Sequence, residues 1–128
     1  MIERHEQRAF CIYPVLLRET NRIIGHCGLN NLEGSPEIEI AYLLDQPYWH
    51  HGFATEIAGA VLERAFQTTD LDRIVAVAFP ENVPSIAVLQ RIGMRSIGMA
   101  RHFNADVAKY EILRSAVTEV AEARRVDE

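Results

Sequence analysis

An amphipathic segment between two apolar runs narrows the range of folds more than any other part of this sequence. Residues 53–67 carry apolar side chains at helical spacing, which predicts a helix with one buried face. The run RIVAVAF at 73–79 is apolar enough for a strand buried on both faces. Residues 37–44 (EIEIAYLL) alternate and then turn wholly apolar, which predicts a strand with a half-exposed start and a buried end. Strand, helix and strand in this order predict a parallel pair joined by a right-handed crossover.

A hairpin precedes this unit. Residues 10–18 and 23–29 are apolar and β-prone, and the polar ETNR between them predicts an antiparallel turn. Pro14 has no amide donor, so the first run suits an edge strand or a bulge. Residues 30–36 (NNLEGSP) have the composition of a loop.

A shorter helix and two strands follow the unit. Asn82 is a plausible N-cap, Pro84 fits the first turn, and Gly93 is placed to end the helix. Residues 94–103 and 107–113 have the composition of two final strands. The predicted order is therefore β-β-β-α-β-α-β-β in a mixed sheet, an α/β fold.

Composition excludes several classes of protein. The chain has 128 residues, 48% hydrophobic and 24% charged, which predicts one folded domain over 1–128 with its core at 8–113 and a polar tail at 115–128. No apolar run reaches the roughly 20 residues that a bilayer requires. Residues 1–8 lack the apolar stretch of a signal peptide, so a cytoplasmic protein is expected. A net charge of −5 argues against nucleic-acid binding.

The cysteines and histidines do not form a recognisable framework. Cys11 and Cys27 are too few for a disulfide scaffold. A turn at Thr20 and Asn21 would place Cys11 opposite a residue near Asn30, so free buried thiols in a reducing compartment are expected. The five histidines share no ligand spacing on one helix face, and no metal site is predicted.

Two predicted helix N-termini follow the parallel strands. The segment HHGFAT at 50–55 leads into the first helix, where amide donors and the helix dipole favour a phosphate, and Gly52 and Ala54 leave the backbone accessible. The alternative is a small residue that eases a strand-to-helix turn. The segment ENVPS at 81–85 leads into the second helix, and Asn82 alone is consistent with a simple cap. Since parallel strands end side by side, both termini together predict a phosphate-bearing ligand.

These segments resemble motifs of a known family. Gly28–Leu29, EIAYLLD at 39–45 and YWHHGFATE at 48–56 are similar to the acetyl-CoA-binding core of the GNAT N-acetyltransferases. NVPSIAVLQRIGM at 82–94 is similar to the motif that follows in that family, and the resemblance covers about residues 8–113. The Rim-type branch is most similar, whose members acetylate ribosomal-protein N-termini, antibiotics and other small amines.

Two features depart from the family pattern. Trp49 stands three residues before Gly52, where the usual phosphate loop begins with Arg or Gln, although the Rim-type branch commonly has Trp there. The chain also starts at the hairpin, without the strand and two helices that normally precede it and build much of the acceptor wall. The expectation is an N-terminally shortened GNAT fold.

The resemblance implies transfer of an acetyl group from acetyl-CoA to a primary amine, either a protein N-terminus or a small molecule. It places the pantetheine along the strand that ends at Leu43 and Leu44, whose backbone amides would polarise the thioester carbonyl. It places the pyrophosphate on the amides of 51–55. The implied cofactor-binding residues are Leu43, Leu44, His50, His51, Gly52, Phe53, Ala54, Thr55, Asn82 and Ser85.

Glu39 is the expected general base, because it lies on the strand that flanks the cleft. Glu37 shares its face and is the second candidate, and a solvated carboxylate is the alternative for both. Asn82 is assigned to orienting the substrate amine or the cofactor, besides capping its helix. Many family members have an acidic Tyr where this chain has Leu89, so Tyr110 is a substitute acid or a packed aromatic.

A second class of function competes with the enzyme. A non-catalytic acyl-CoA-binding or regulatory module would keep the cofactor cleft and lack the acceptor wall. Self-association is also expected, because residues 10–18 would form an apolar strand at a sheet edge, and Pro14 favours a closed homodimer over a fibre. The predicted partners are acetyl-CoA, an amine acceptor and a second copy, with no nucleic acid and no membrane.

Overall fold

The computed structural model describes residues 11–49 and 52–116, which form one six-stranded mixed sheet of order β1-β2-β3-β4-β6-β5. Short 3-10 turns cover Leu32–Gly34 and Gln46–Tyr48. The predicted order of elements is confirmed. Phe10 and most of the predicted tail, 117–128, lie outside the described residues. The elements are β1 (Cys11–Leu17), β2 (Arg22–Asn31), β3 (Ile38–Leu44), α1 (Phe53–Thr68), β4 (Arg73–Ala78), α2 (Val83–Arg91), β5 (Arg95–His102) and β6 (Ala105–Leu113).

Both helices pack on one face of this sheet. Leu62 of α1 and Leu89 of α2 join a core with alternate residues of the four inner strands, such as Ile40 and Ile74. Because side chains alternate along a strand, the residues between these point to the opposite face. That helix-free face carries Glu37, Glu39, Arg73, Lys109 and Glu111.

The second strand is longer than the sequence predicts. Asn30 and Asn31, expected in a loop, pair with Glu39 and Ile38 and extend the antiparallel ladder with β3. The backbone of β3 is the cause of this extension. By pairing with β3, the backbone N–H and C=O groups of Asn30 and Asn31 gain hydrogen-bond partners, which in a loop would be water molecules. The extension places Asn30 directly opposite Glu39.

The first strand lies at the end of the sheet, as Pro14 predicts, and its pairing shifts register between Val15 and Leu16. Cys11 faces Leu29, one residue from the expected position near Asn30. Cys27 is a free, buried thiol, as expected.

Burial along β3 runs opposite to the prediction. Ile38, Glu39 and Ile40 are buried, whereas Ala41 and Leu43 are exposed. The half-exposed start and buried end expected from the sequence were therefore wrong. The exposure of the end of β3 is caused by β4. The two strands share a single bridge, between Glu39 and Val75, and do not pair beyond it. The ends of β3 and β4 beyond Glu39 and Val75 are therefore not paired with each other, and the gap between them is called the cleft below.

Candidate active site

The backbone of β3 faces this cleft at alternate residues. The Asp45 amide donates to the Ile24 carbonyl at 2.8 Å, just beyond the paired end of β2 and β3. Hydrogen-bonded pairs alternate in an antiparallel ladder, so Tyr42 and Leu44 direct their backbone groups away from β2 and towards the cleft. Leu43 directs its own towards β2. Of the two residues predicted to bind the coenzyme, Leu44 therefore turns its amide to the side away from β2, as Tyr42 does, and Leu43 does not.

Trp49 anchors the loop between β3 and α1. Its indole Nε1 donates to the Leu44 carbonyl at 2.6 Å, folding the loop back onto the end of the strand. The Leu44 carbonyl is thereby occupied, which leaves its amide as the group suited to a ligand. Trp49 therefore has a structural reason to occupy the position where the usual loop has Arg or Gln.

The first helix begins at a glycine that needs its conformational freedom. Gly52 has φ +79° and ψ 0°, in the left-handed region, and its carbonyl accepts the Glu56 amide at 3.1 Å. Within 11–49 and 52–116, no atom lies within 4 Å of a Cβ built on Gly52, so these residues leave the space beside Gly52 open. Phe53, Ala54 and Thr55 form the first turn, as predicted. The predicted ligands His50 and His51 lie outside the described residues.

The second helix is capped as expected. Asn82 Oδ1 accepts the Ser85 amide at 3.3 Å, and Pro84 lies in the first turn. The oxygen of Asn82 therefore serves the helix, and only its amide nitrogen remains suited to the predicted role towards a ligand. Gly93, with φ +97°, follows the end of the helix.

Tyr42 joins β3 to α2 across the cleft, a connection that the motif analysis missed. Its hydroxyl donates to the Ser85 carbonyl at 3.3 Å and lies 3.1 Å from Ser85 Oγ. Burial raises the pKa of the Tyr42 phenol, which stays protonated as a hydrogen-bond donor. The sequence did contain a clue, because a tyrosine in register with Ile38 and Ile40 faces the core, where its hydroxyl needs a partner.

The two candidate bases, Glu39 and Glu37, differ sharply in environment. Glu39 is 9% exposed, and its closest polar contact is Asn30 Nδ2, 3.5 Å from Oε2. Burial raises the pKa of Glu39 above its usual value. Glu37 accepts from Lys109 at 2.7 Å and from Arg73 at 3.1 Å, and these cations hold its pKa below the usual value. Glu39 therefore fits a proton acceptor, whereas Glu37 fits a permanent ion-pair partner.

The ion pairs of Glu37 continue across the helix-free face. Glu111 pairs with Arg95 at 2.7 Å and with Arg73 at 3.0 Å, which lowers the pKa of Glu111. This cluster was not predicted from the sequence, although the alternation of Lys109 and Glu111 along the last strand places both side chains on one face. The cluster fixes β3, β4, β5 and β6 relative to one another beside the proposed base.

His102 links the last hairpin to the turn before β3. Lys109 Nζ lies 3.2 Å from His102 Nε2, and His102 Nδ1 lies 2.8 Å from Glu33 Oε1. An ammonium can only donate, so Nε2 accepts and Nδ1–H donates to Glu33. Glu33 also accepts the Phe103 amide at 2.8 Å, and these bonds lower its pKa.

Tyr110, the candidate general acid, and Leu89, which stands where many family members have the acidic Tyr, are both buried in the core. Tyr110 is 6% exposed and belongs to the core between sheet and helices, and Leu89 is 1% exposed in the same core. Tyr110 is therefore a packed aromatic. Within 11–49 and 52–116, no group of three or more His, Cys, Asp or Glu side chains is arranged to hold a metal ion. No helix in those ranges is both long and apolar enough to cross a bilayer.

The comparisons with known proteins all indicate the same family. The Acetyltransferase (GNAT) domain family matches residues 1–95. The Bacillus subtilis protein named Uncharacterized N-acetyltransferase YnaD is 40% identical over 86 residues, which cover 67% of this chain and 51% of YnaD. The chain thus spans about half the length of the curated relatives that it matches.

Solved structures have the same architecture. A GNAT-family acetyltransferase from Bacillus anthracis is 34% identical with a TM-score of 0.71, and the match covers 81% of this chain and 66% of that one. The aminoglycoside acetyltransferase AAC(6')-Ib in complex with coenzyme A has a TM-score of 0.77 at 18% identity, covering 88% of this chain and 71% of that one, a likeness of fold. By its matched domain and its mixed sheet, this chain belongs to the GNAT acetyltransferase family.

Proposed function

We propose that this chain is an acetyl-CoA-dependent N-acetyltransferase that acts on a primary amine. One observation carries the proposal: β3 and β4 stop pairing beyond Glu39, and two helix N-termini follow the ends of these strands. A cleft of this form suits a long ligand with phosphates at one end and a reactive group at the other. The likeness to AAC(6')-Ib, solved with coenzyme A, supports the same ligand class.

The phosphates of acetyl-CoA would bind at the start of α1. The space in front of Gly52 is open, and the amides of 52–55 lie at the positive end of the helix dipole. His50, His51 and Ser85 are the further contacts that we propose for the coenzyme. The pantetheine would run along β3, where the amides of Tyr42 and Leu44 can bond its polar groups and polarise the thioester carbonyl.

Glu39 is the proposed general base. The acceptor amine loses a proton to the Glu39 carboxylate, and its nitrogen attacks the thioester carbonyl. A C–N bond forms, the C–S bond breaks, and the second proton of the attacking nitrogen passes to the departing thiolate, so that the coenzyme leaves as its thiol. Asn82 is proposed to orient the amine or the coenzyme through its amide nitrogen.

The test compares Glu39→Gln with Glu37→Gln. We expect acetyl-CoA to bind the parent and Glu39→Gln equally in calorimetry, while thiol release with a panel of amines falls about 100-fold or more in Glu39→Gln. Glu37→Gln is the matched control, because it removes a neighbouring carboxylate from ion pairs and should keep the acidic limb of the pH–rate profile. A Glu39→Gln profile that also keeps that limb would remove Glu39 from the mechanism.

A non-catalytic acyl-CoA-binding module is the second candidate. It is favoured by the burial of Tyr110 and Leu89 in the core, which leaves both predicted acid positions without an acid at the cleft. This candidate predicts acetyl-CoA binding without thiol release for any amine of the panel. A protein that binds no acetyl-CoA would contradict both candidates.

We also propose that the chain is a single domain over 1–128 and a cytoplasmic homodimer. Apolar side chains on β1 and at the start of β2 are well exposed, with Ile12 at 73%, Leu16 at 51% and Ile23 at 61%. A second copy that covers them would form a closed two-fold contact. Light scattering should give twice the chain mass, and a stable monomer at high micromolar concentration would contradict the dimer. The free thiol of Cys27 is consistent with a reducing compartment.

A further inference from the structure

Asn30 and Glu39 form a pair that the acetyl-transfer motifs do not explain. They lie directly opposite each other on β2 and β3, and Asn30 Nδ2 is 3.5 Å from Glu39 Oε2. Asn30 Oδ1 is buried, and among the described residues it accepts no hydrogen bond. A buried acceptor without a partner is unfavourable and calls for an explanation.

The hydrogen-bonding chemistry of Asn30 and Glu39 supplies an explanation for this buried acceptor. A carboxamide carries a donor and an acceptor on one carbon, whereas a carboxylate only accepts and a carboxylic acid also donates. While Glu39 is ionised, Asn30 can serve it only through Nδ2. Once Glu39 is protonated, its O–H can donate to Asn30 Oδ1, the atom that otherwise has no partner.

We propose that Asn30 is the positioning residue of Glu39, exchanging its Nδ2 donor for its Oδ1 acceptor when the Glu39 carboxyl takes up the proton of the acceptor amine. The inference rests on the proposed function, in which Glu39 is the base. The proton passes from the amine nitrogen to a Glu39 oxygen and later to water, and no bond to Asn30 is made or broken other than hydrogen bonds. Asn30 thereby holds the carboxyl in one orientation through both states.

The charged groups around Glu39 have other partners and do not take the place of Asn30. Glu37 is engaged by Lys109 and Arg73, and His102 is engaged by Glu33 and Lys109. On the helix-free face of β2 the nearest ionisable side chain along the strand is His26, which is exposed and pairs in register with Leu43, whereas Cys27 faces the core. The ionisable groups on the same face, from the turn before β3 to β6, are Glu33, Glu37, Arg73, Arg95, His102, Lys109 and Glu111.

The pair can be tested without any amine substrate. Carbon-13 at the glutamate δ position reports each carboxyl titration by NMR in the full chain, and Glu39→Gln identifies the Glu39 signal. We expect Asn30→Asp to raise the pKa of Glu39 by about one unit or more, because two facing carboxyls then share a proton. Asn30→Ala should shift the pKa by less than about half a unit, because it removes a donor to the carboxylate and an acceptor for the acid together.

Asn31→Asp is the matched control. Asn31 is adjacent in sequence, but its Nδ2 donates to the Ser35 carbonyl at 2.8 Å and its side chain faces the other way along the strand. A new carboxylate there should leave the Glu39 titration within about 0.3 units. Should Asn30→Asp fold poorly, the double variant Asn30→Asp with Glu39→Gln restores an amide–carboxyl pair with exchanged positions, and its melting temperature should return towards the parent value.

Two results would overturn the inference. The first is a Glu39 titration that Asn30→Asp leaves unchanged, or a double variant no more stable than Asn30→Asp. The second is an Asn30→Ala variant that raises the Glu39 pKa by about one unit or more, which would make Asn30 only a donor. If the Asn30 variants shift the Glu39 titration as expected but Glu39→Gln keeps full turnover, the pairing stands and Glu39 as the base, and with it the proposed mechanism, is refuted.

Discussion

Gly52 offers the most direct test of the coenzyme site, through the replacement Gly52→Val. The residue has φ +79°, and an L-amino acid in the left-handed region costs about 1–2 kcal/mol. Among the residues that the structure describes, none has an atom within 4 Å of the new Cβ, so the side chain would enter open space. The protein should therefore remain folded, because the loss is a minor part of the roughly 5–15 kcal/mol that stabilises a typical domain.

The effect on the ligand should be larger than the effect on folding. The valine side chain would occupy the space that we assign to the phosphates at the start of α1, and the helix amides would lose their direct approach. We expect the affinity for acetyl-CoA to fall at least tenfold, which corresponds to about 1.4 kcal/mol. Calorimetric titration measures the affinity, and thermal unfolding measures the stability.

Gly34 provides a matched control for backbone strain. It has φ +73°, a Cβ there would also meet nothing within 4 Å, and it precedes the opposite end of β3. Gly34→Val should lose similar stability and keep the parent affinity. If folded Gly52→Val binds acetyl-CoA as tightly as Gly34→Val, the assignment of the phosphate site to α1 is wrong.

Three further predictions concern other parts of the fold. Tyr42→Phe removes the hydroxyl that joins β3 to Ser85, so calorimetry should show a loss of about 1 kcal/mol, which for a chain of this length lowers the melting temperature by about 4 °C. Burial raises the pKa of Cys27 to about 12, so in a Cys11→Ser background a thiol reagent at pH 8 should label Cys27 only after denaturant is added. Glu111 gains stability from its arginine partners, and this gain is complete above its ordinary pKa of 4.5 and is lost as the pH falls through its lowered folded pKa. In urea unfolding at a series of pH values, the free energy of unfolding should therefore decrease less steeply towards acid pH in Glu111→Gln than in the parent.

Local patterns were sufficient to predict the framework. The spacing of apolar residues gives α1, and Asn82 and Pro84 mark the start of α2, because caps and periodicity depend only on neighbours along the chain. The left-handed Gly52 belongs to the same class of local feature. These elements are the framework on which we propose the phosphate site.

Features that depend on neighbouring strands could not be predicted in the same way. Glu37 and Glu39 are equivalent by alternation, and only the approach of Arg73 and Lys109, distant in sequence, assigns one to ion pairs and leaves the other buried beside Asn30. The exposed end of β3 has the same origin, because its burial depends on where β4 stops pairing.

The last prediction uses stability to test whether Glu39 is held in an unfavourable state. Because burial raises the pKa of Glu39 above its ordinary 4.5, the folded protein binds its proton more tightly than the unfolded chain does. Stability therefore falls as the pH rises from 4.5 through the folded pKa, and the full penalty applies above it. Glu39→Gln carries no charge, and its amide can donate to Asn30 Oδ1 while accepting from Nδ2.

We therefore expect Glu39→Gln to be more stable than the parent at pH 8 and to lose that advantage near pH 4, as measured by urea unfolding at both values. Glu37→Gln should behave in the opposite way at pH 8, because it gives up two ion pairs that favour the charged carboxylate. A Glu39→Gln protein less stable than the parent at pH 8 would show that the carboxylate is well accommodated, and the physical argument for its basicity would fail. A variant that gains stability while losing turnover would instead show that this buried carboxylate is kept for chemistry at the expense of folding.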